Sequence, residues 1–244
     1  MDLMPEQEKW WENTDALKEN RKIIKKKLRD CLKTNGYKQG RRSSFYQFSE
    51  DTAVYYHPEH PSIMTYLWLC FYPLFMPPVD LGIFYFGNRL SVTTNHYIWN
   101  IRDYESEEST DEWCRRITEI DETRVASLVQ QVSSASSIDR FFNDNRSHLE
   151  IKGYVDFDEG ILRLGLTRAR ELWMFAKLAL HQYEAALQLA WDILQDEANG
   201  KNNVSQFSAE HSRLVTNLAA TGNDKAVDEK INAWREANRL RFMK

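Results

Sequence analysis

Aromatic residues crowd into one quarter of the chain, and helical periodicity takes over after it. Between Phe45 and Tyr104 lie 16 of the 31 Phe, Tyr and Trp residues. They come in short runs bounded by Pro, Gly, Asn and Asp, a composition that fits pleated, half-buried surfaces better than helices. The pattern predicts strands over 44–49, 53–57, 63–72, 81–86 and 97–101. Glu50-Asp51 suits a tight turn between the first two, and Gly87-Asn88 a turn after the fourth. Consecutive strands with short connections make an antiparallel meander. Ahead of it, Trp10, Leu17, Ile24, Leu28, Cys31 and Leu32 recur at near-helical intervals over 7–35, and Asn35-Gly36 supplies a left-handed stop.

Beyond the meander the period changes. Ser109-Thr110-Asp111 opens a helix, and Asp121 is placed to cap another running through Leu128 to Val132. The serine-rich stretch 133–137 breaks that helix and is the candidate hinge. Phe141 and Phe142 suggest a short anchoring turn, and 154–164 reads equally as a short strand or as irregular chain. From Thr167, the residues Leu172, Phe175, Ala176, Ala179, Tyr183, Ala186, Leu187, Ala190 and Ile193 fall on one face of a helix reaching Ala198. A second helix from Ser205 presents Phe207, Leu214, Val215 and Leu218. A third, from Asn223 or Asp224, carries Val227, Ile231, Trp234 and Leu240. The expected fold is α+β: an N-terminal helix packed on an antiparallel β-meander (1–104), an acidic helical connector (105–164) and a C-terminal all-α helical bundle (165–244).

Composition narrows the class without naming a reaction. The chain has 244 residues, 42% hydrophobic and 28% charged, with a net charge of -4, which gives no global pull toward nucleic acid or anionic lipid. The three cysteines, Cys31, Cys70 and Cys114, are odd in number and widely spaced, so reduced thiols in a cytoplasm are expected rather than a disulfide framework. The acidic opening, with no apolar run, predicts no signal peptide. Residues 61–79 carry no charge and approach the length of a membrane span. Pro73, Pro77 and Pro78 would break a helix there, so a strand buried on both faces is the better account, and no membrane partner is expected.

Local charge is far less even than the total. From Arg21 to Arg42 there are ten Lys or Arg against one acid, Asp30. Lys22, Lys25, Lys26, Lys27, Arg29, Arg41 and Arg42 could therefore form a patch for nucleic acid, or simply a solvated helix face neutralised elsewhere. Between Asp103 and Asp121 the sign reverses, with eight acids facing only Arg115 and Arg116. Here Glu105, Glu107, Glu108, Asp111 and Glu112 are the candidate contacts for a basic protein partner.

Motif chemistry is sparse. His57, Glu59 and His60 could offer three metal ligands, but Pro58 and Pro61 place them in a proline-rich turn where they do not converge, so no metal is expected. Cys31 and Cys70 read as small buried hydrophobes, and Cys114 lies among acids that raise a thiol pKa. No glycine pattern cradles a phosphate or dinucleotide, and no cofactor is expected. An active site assembled from dispersed residues such as His96, Asp80 and Glu159 has no linear signature.

Residues 28–46, with a helix ending in Lys33-Thr34-Asn35-Gly36-Tyr37 followed by Ser44-Phe45-Tyr46, resemble a small bacterial family carrying a domain of unknown function. Leu81-Gly82-Ile83 matches that family's apolar-Gly-apolar strand. The resemblance covers about the first hundred residues. It implies an α+β fold and a role as an immunity protein against a toxin. The expected function is therefore a cytoplasmic protein-binding module, an immunity or antitoxin-type inhibitor that occludes its partner by charge complementarity. The alternative is a nucleic-acid-binding protein that uses the basic helix.

Overall fold

A computed structural model describes residues 14–40, 44–59, 66–78, 86–89, 107–158, 162–201 and 204–243. The first helix, α1 (Thr14–Thr34), buries Ile24, Leu28 and Leu32 on one side and keeps its lysines outside. Gly36 ends it in the left-handed region at φ +85°, where Tyr37 N–H returns to Leu32 O at 2.9 Å. A five-stranded antiparallel sheet follows: β1 (Lys38–Gln39), β2 (Phe45–Phe48), β3 (Thr52–Glu59), β4 (Tyr66–Pro73) and β5 (Phe86–Arg89), in spatial order 1-2-3-4-5. β2, β3 and β4 correspond to strands read from the aromatic runs; β1 was not anticipated, and the predicted strand over 81–86 lies outside the described residues but for Phe86. The predicted strand over 97–101 lies outside the described residues.

Both faces of this sheet are covered, which explains why its strands read as nearly continuous apolar runs. The register pairs Tyr46 with Tyr55 and Ala53 with Tyr72, all on one face, and there Phe242 of the last helix packs against Tyr46, Phe48, Tyr55 and Tyr72 at centroid distances of 5.3–6.1 Å. On the other face Tyr56 meets Tyr37 edge-on at 5.1 Å, while Phe71 stacks on Phe86 and touches Phe157. Each fully buried ring contributes roughly 1.5–3 kcal/mol of transfer free energy.

Past the sheet come α2 (Glu107–Ile120), a π-helical turn (Asp121–Val125) and α3 (Ala126–Val132). Then follow α4 (Ala135–Asp144), α5 (Arg146–Lys152), a hairpin of β6 (Tyr154–Phe157) and β7 (Leu162–Gly165), and α6 (Leu166–Ala179), α7 (Tyr183–Ala198), α8 (Gln206–Ala219) and α9 (Asp224–Met243). The described residues of the C-terminal part are thus helical, as the period indicated. α9 crosses back to the sheet, where Asn238 Nδ2 donates to Leu74 O at 2.9 Å and Met76 O at 2.8 Å.

Five local readings need correction. Gly87-Asn88 is not a turn: both lie in β5, and Gly87 faces Cys70 so closely that a Cβ there would fall 2.2 Å from its Sγ. His57 and Pro58 are not in a loop but in β3. β2 stops pairing at Tyr56, so beyond it β3 has β4 on one side only, where a residue with no N–H is tolerated. The single long helix of 167–198 is two, α6 and α7. Neither Gly nor Pro announces the break, at which His181 adopts φ +56° and its ring meets Asp228 at 2.9 Å. Phe141 and Phe142 lie inside α4 rather than in a turn.

The serine stretch is the fifth case. Its break is only Ser133-Ser134, with Ser134 capping α4 through Ser137 N–H at 3.1 Å. It is also tied to the β2–β3 turn, because Asp51 N–H and Ser49 Oγ both donate to Ser133 O. A hinge there would have to break those bonds.

Candidate functional site

The basic face of α1 forms one wall of a cleft of about 290 Å³. Lys22, Lys25, Lys26 and Arg29 are spaced i, i+3, i+4, i+7, so a helix of 3.6 residues per turn places them on one stripe. Opposite stand Gln39, Phe45 and Pro58, at the end of the described β2–β3 pairing. One wall of the cleft thus follows directly from the basic period on α1. Lys22 holds Glu19 at 2.9 Å and Arg29 holds its neighbour Asp30 at 3.2 Å, both exposed pairs within the helix that water screens heavily. Among the described residues, no carboxylate pairs with Lys25 or Lys26.

Lys27 points elsewhere. It reaches Asp111 of α2 at 3.1 Å, so one of the seven predicted cations does neutralise the acidic stretch. Arg41 and Arg42 lie outside the described residues. Of the predicted acidic contacts, Glu105 also lies outside them, and Glu107 and Glu108 begin α2. Glu112 is held by both Arg115 (2.7 Å) and Arg116 (2.8 Å), whose hydrogen bonds pull its carboxyl down to about 2. Arg115 also reaches Glu119 at 3.1 Å. Asp111 and Glu112 thus already have cations of their own chain.

A second groove, of about 300 Å³, opens between α5, α6 and α7 and is lined by Trp173, Leu189 and several charged residues. Its cations are internally matched: Arg146 to Glu150 at 2.9 Å, Arg170 to Asp196 at 3.1 Å, and Lys177 to Asp139 at 2.7 Å. It offers shape without net charge.

Two buried polar clusters escaped the sequence reading. Asp121 does not cap a helix. Its carboxylate turns inward from the π-helical turn and accepts from Asn35 Nδ2 (2.7 Å), Tyr37 OH (3.1 Å) and Tyr56 OH (2.5 Å). Burial raises the Asp121 pKa despite these donors, and burial beside it raises both phenols. The second cluster surrounds Glu171, which is fully buried in α6. It accepts from Arg168 Nη1 at 3.0 Å and Ser208 Oγ at 3.3 Å, and meets His211 Nδ1 at 2.7 Å.

Serine, histidine and carboxylate meet here, but in the wrong order for nucleophilic catalysis, because the carboxylate sits on the serine as well as on the imidazole. All three are at most 5% exposed, so no substrate reaches them. The dispersed set His96, Asp80 and Glu159 lies outside the described residues, as does His60 of the candidate metal triad. Glu59 accepts from Trp68 Nε1 at 2.9 Å, and among the described residues no three His, Cys, Asp or Glu side chains are grouped to hold a metal. No described helix is long and apolar enough to cross a membrane.

Comparison with known proteins adds no identity. No family model matches the chain, and no curated protein or solved structure shows significant similarity to it.

Proposed function

We propose that this protein binds a nucleic acid by its phosphate backbone, through the stripe Lys22, Lys25, Lys26 and Arg29 on α1. One observation carries the reading: these side chains line one cleft, while Asp111 and Glu112 of α2 pair with Lys27, Arg115 and Arg116. Occlusion of a basic partner by the acidic stretch would first require those intramolecular pairs to open. Phe45, Tyr46, Tyr55 and Tyr56 are buried, so these four rings offer no stacking platform. Recognition is therefore electrostatic and tolerant of base sequence.

Fluorescence anisotropy with labelled single-stranded RNA and DNA across a salt series tests this. Engaging four phosphates gives a log–log salt slope of roughly -3 on a single strand. Lys25→Glu with Lys26→Glu abolishes binding at moderate salt and leaves thermal stability nearly unchanged. Binding that ignores salt, or survives the charge reversal, overturns the proposal.

A further inference from the structure

Two thiols 83 positions apart in sequence meet where α1 packs on α2. Cys31 Sγ lies 3.6 Å from the carbonyl oxygen of Cys114, and Cys114 Sγ lies 4.0 Å from the carbonyl oxygen of Lys27, one helical turn before Cys31. Each thiol thus donates to a backbone carbonyl of the helix that carries the other. Both cysteines are free and only partly buried, so a small oxidant reaches them from water. We propose that Cys31 and Cys114 are a reactive pair that closes to an intramolecular disulfide on exposure to a peroxide, fastening α1 to α2.

The environment divides the labour between the sulfurs. The neighbouring Cys114 side chain, helped by Thr118, holds the Cys31 thiol below its ordinary pKa against the opposing effects of burial and the Asp121 carboxylate. The neighbouring Cys31 side chain, together with burial, pushes Cys114 up. Cys31 is thus the thiolate that attacks, and Cys114 the protonated partner that resolves. The Cys31 sulfur displaces an alcohol or water from the O–O bond, which takes two electrons and leaves a sulfenic acid on Cys31. Cys114 then attacks that sulfur, the S–O bond breaks, and the departing hydroxyl leaves as water with the Cys114 proton. The sum is two thiols plus one hydroperoxide giving one disulfide, one alcohol and one water. Cys70 is the internal control, since it is fully buried beneath Gly87 and burial raises its thiol pKa strongly. The site is independent of the nucleic-acid reading.

The test uses the reduced full chain, treated with one equivalent of hydrogen peroxide, quenched by alkylation and digested without reductant. The expected product is a monomer lacking two hydrogens, with one linked peptide pair containing Cys31 and Cys114 and with Cys70 alkylated. In Cys114→Ser, dimedone traps a sulfenic acid at Cys31. In Cys31→Ser no intramolecular bridge forms, and peroxide leaves no linked peptide pair. The peptide map of the unmutated chain decides the matter even if a variant fails to fold. Cys31 and Cys114 both recovered alkylated, a bridge between two chains, or a bridge to Cys70 each overturns the proposal.

Discussion

Asp121 is a half-buried carboxylate beside the sheet and Glu171 a fully buried one inside the helical bundle, and the protein accommodates them by opposite means. Around Asp121 the donors are neutral: two phenols and an amide. They fill its lone pairs but bring no positive charge, so burial still raises its pKa. Around Glu171 a guanidinium, an imidazole and a hydroxyl approach. Hydrogen bonds alone therefore suffice for a carboxylate that keeps partial contact with water, whereas the fully enclosed one recruits a cation. Removing each group should expose that difference.

The largest loss is expected at Glu171. Glu171→Ala takes the carboxylate from Arg168, Ser208 and His211 at once and leaves a hole in α6. Breaking a buried charged cluster of this kind costs about 3–5 kcal/mol. Arg168, about a third exposed, can turn to solvent, but His211 cannot. Urea unfolding should show the midpoint falling with the slope unchanged, and Glu171→Gln should lose less by keeping an acceptor oxygen. A loss below about 1 kcal/mol for the alanine variant, within the range of an ordinary neutral hydrogen bond, would show that the bundle does not depend on this cluster.

Asp121 should cost less and respond to pH. Asp121→Ala strands the Tyr56 hydroxyl, for an expected loss of about 1–3 kcal/mol. Because the folded state raises the Asp121 pKa, it holds the proton more tightly than the unfolded chain does. The stability tied to this group is thus fully present below the ordinary carboxylate value of 3.8 and is lost as pH rises through the raised one. Wild type should therefore lose stability relative to Asp121→Asn as pH climbs across that window, measured by paired urea titrations. A gain on Asp121→Asn over the same window would mean that the three donors outweigh burial, and the contrast with Glu171 would collapse.

These clusters also mark what the sequence could tell. Element type was readable wherever period and punctuation agreed: the strands around Phe45–Phe48, Thr52–Glu59 and Tyr66–Pro73, the Asn35-Gly36 stop, the helix start at Ser205 and the apolar faces of the last helices. It failed where long-range contact overrode a local signal. Gly87 looked like a turn glycine because its reason, the Cys70 sulfur, lies on another strand. Asp121 looked like a cap because Tyr37 and Tyr56 are 84 and 65 positions away. The basic stripe on α1 was visible, but not its split into Lys27, which meets Asp111, and Lys22, Lys25, Lys26 and Arg29, which face the cleft. That split depends on where α2 lies. Cys31 and Cys114 read as unrelated thiols for the same reason.

The smallest effect is expected where a carboxylate has the most cations and the least burial. Glu112 on the surface of α2 is gripped by Arg115 and Arg116, and its carboxyl is held down to about 2, below the usual 4.5. A depressed pKa favours folding above the ordinary value, and that contribution disappears as pH falls toward about 2. Water and salt nevertheless screen an exposed pair, and ordering long side chains offsets most of the attraction. Glu112→Gln should therefore leave the urea midpoint unchanged at neutral pH, while a carboxyl-carbon NMR titration of wild type still finds Glu112 ionised well below the other surface acids. If the midpoint instead dropped as far as in the Glu171 variants, enclosure would not be what makes Glu171 costly to remove, and the number of cationic partners would take its place.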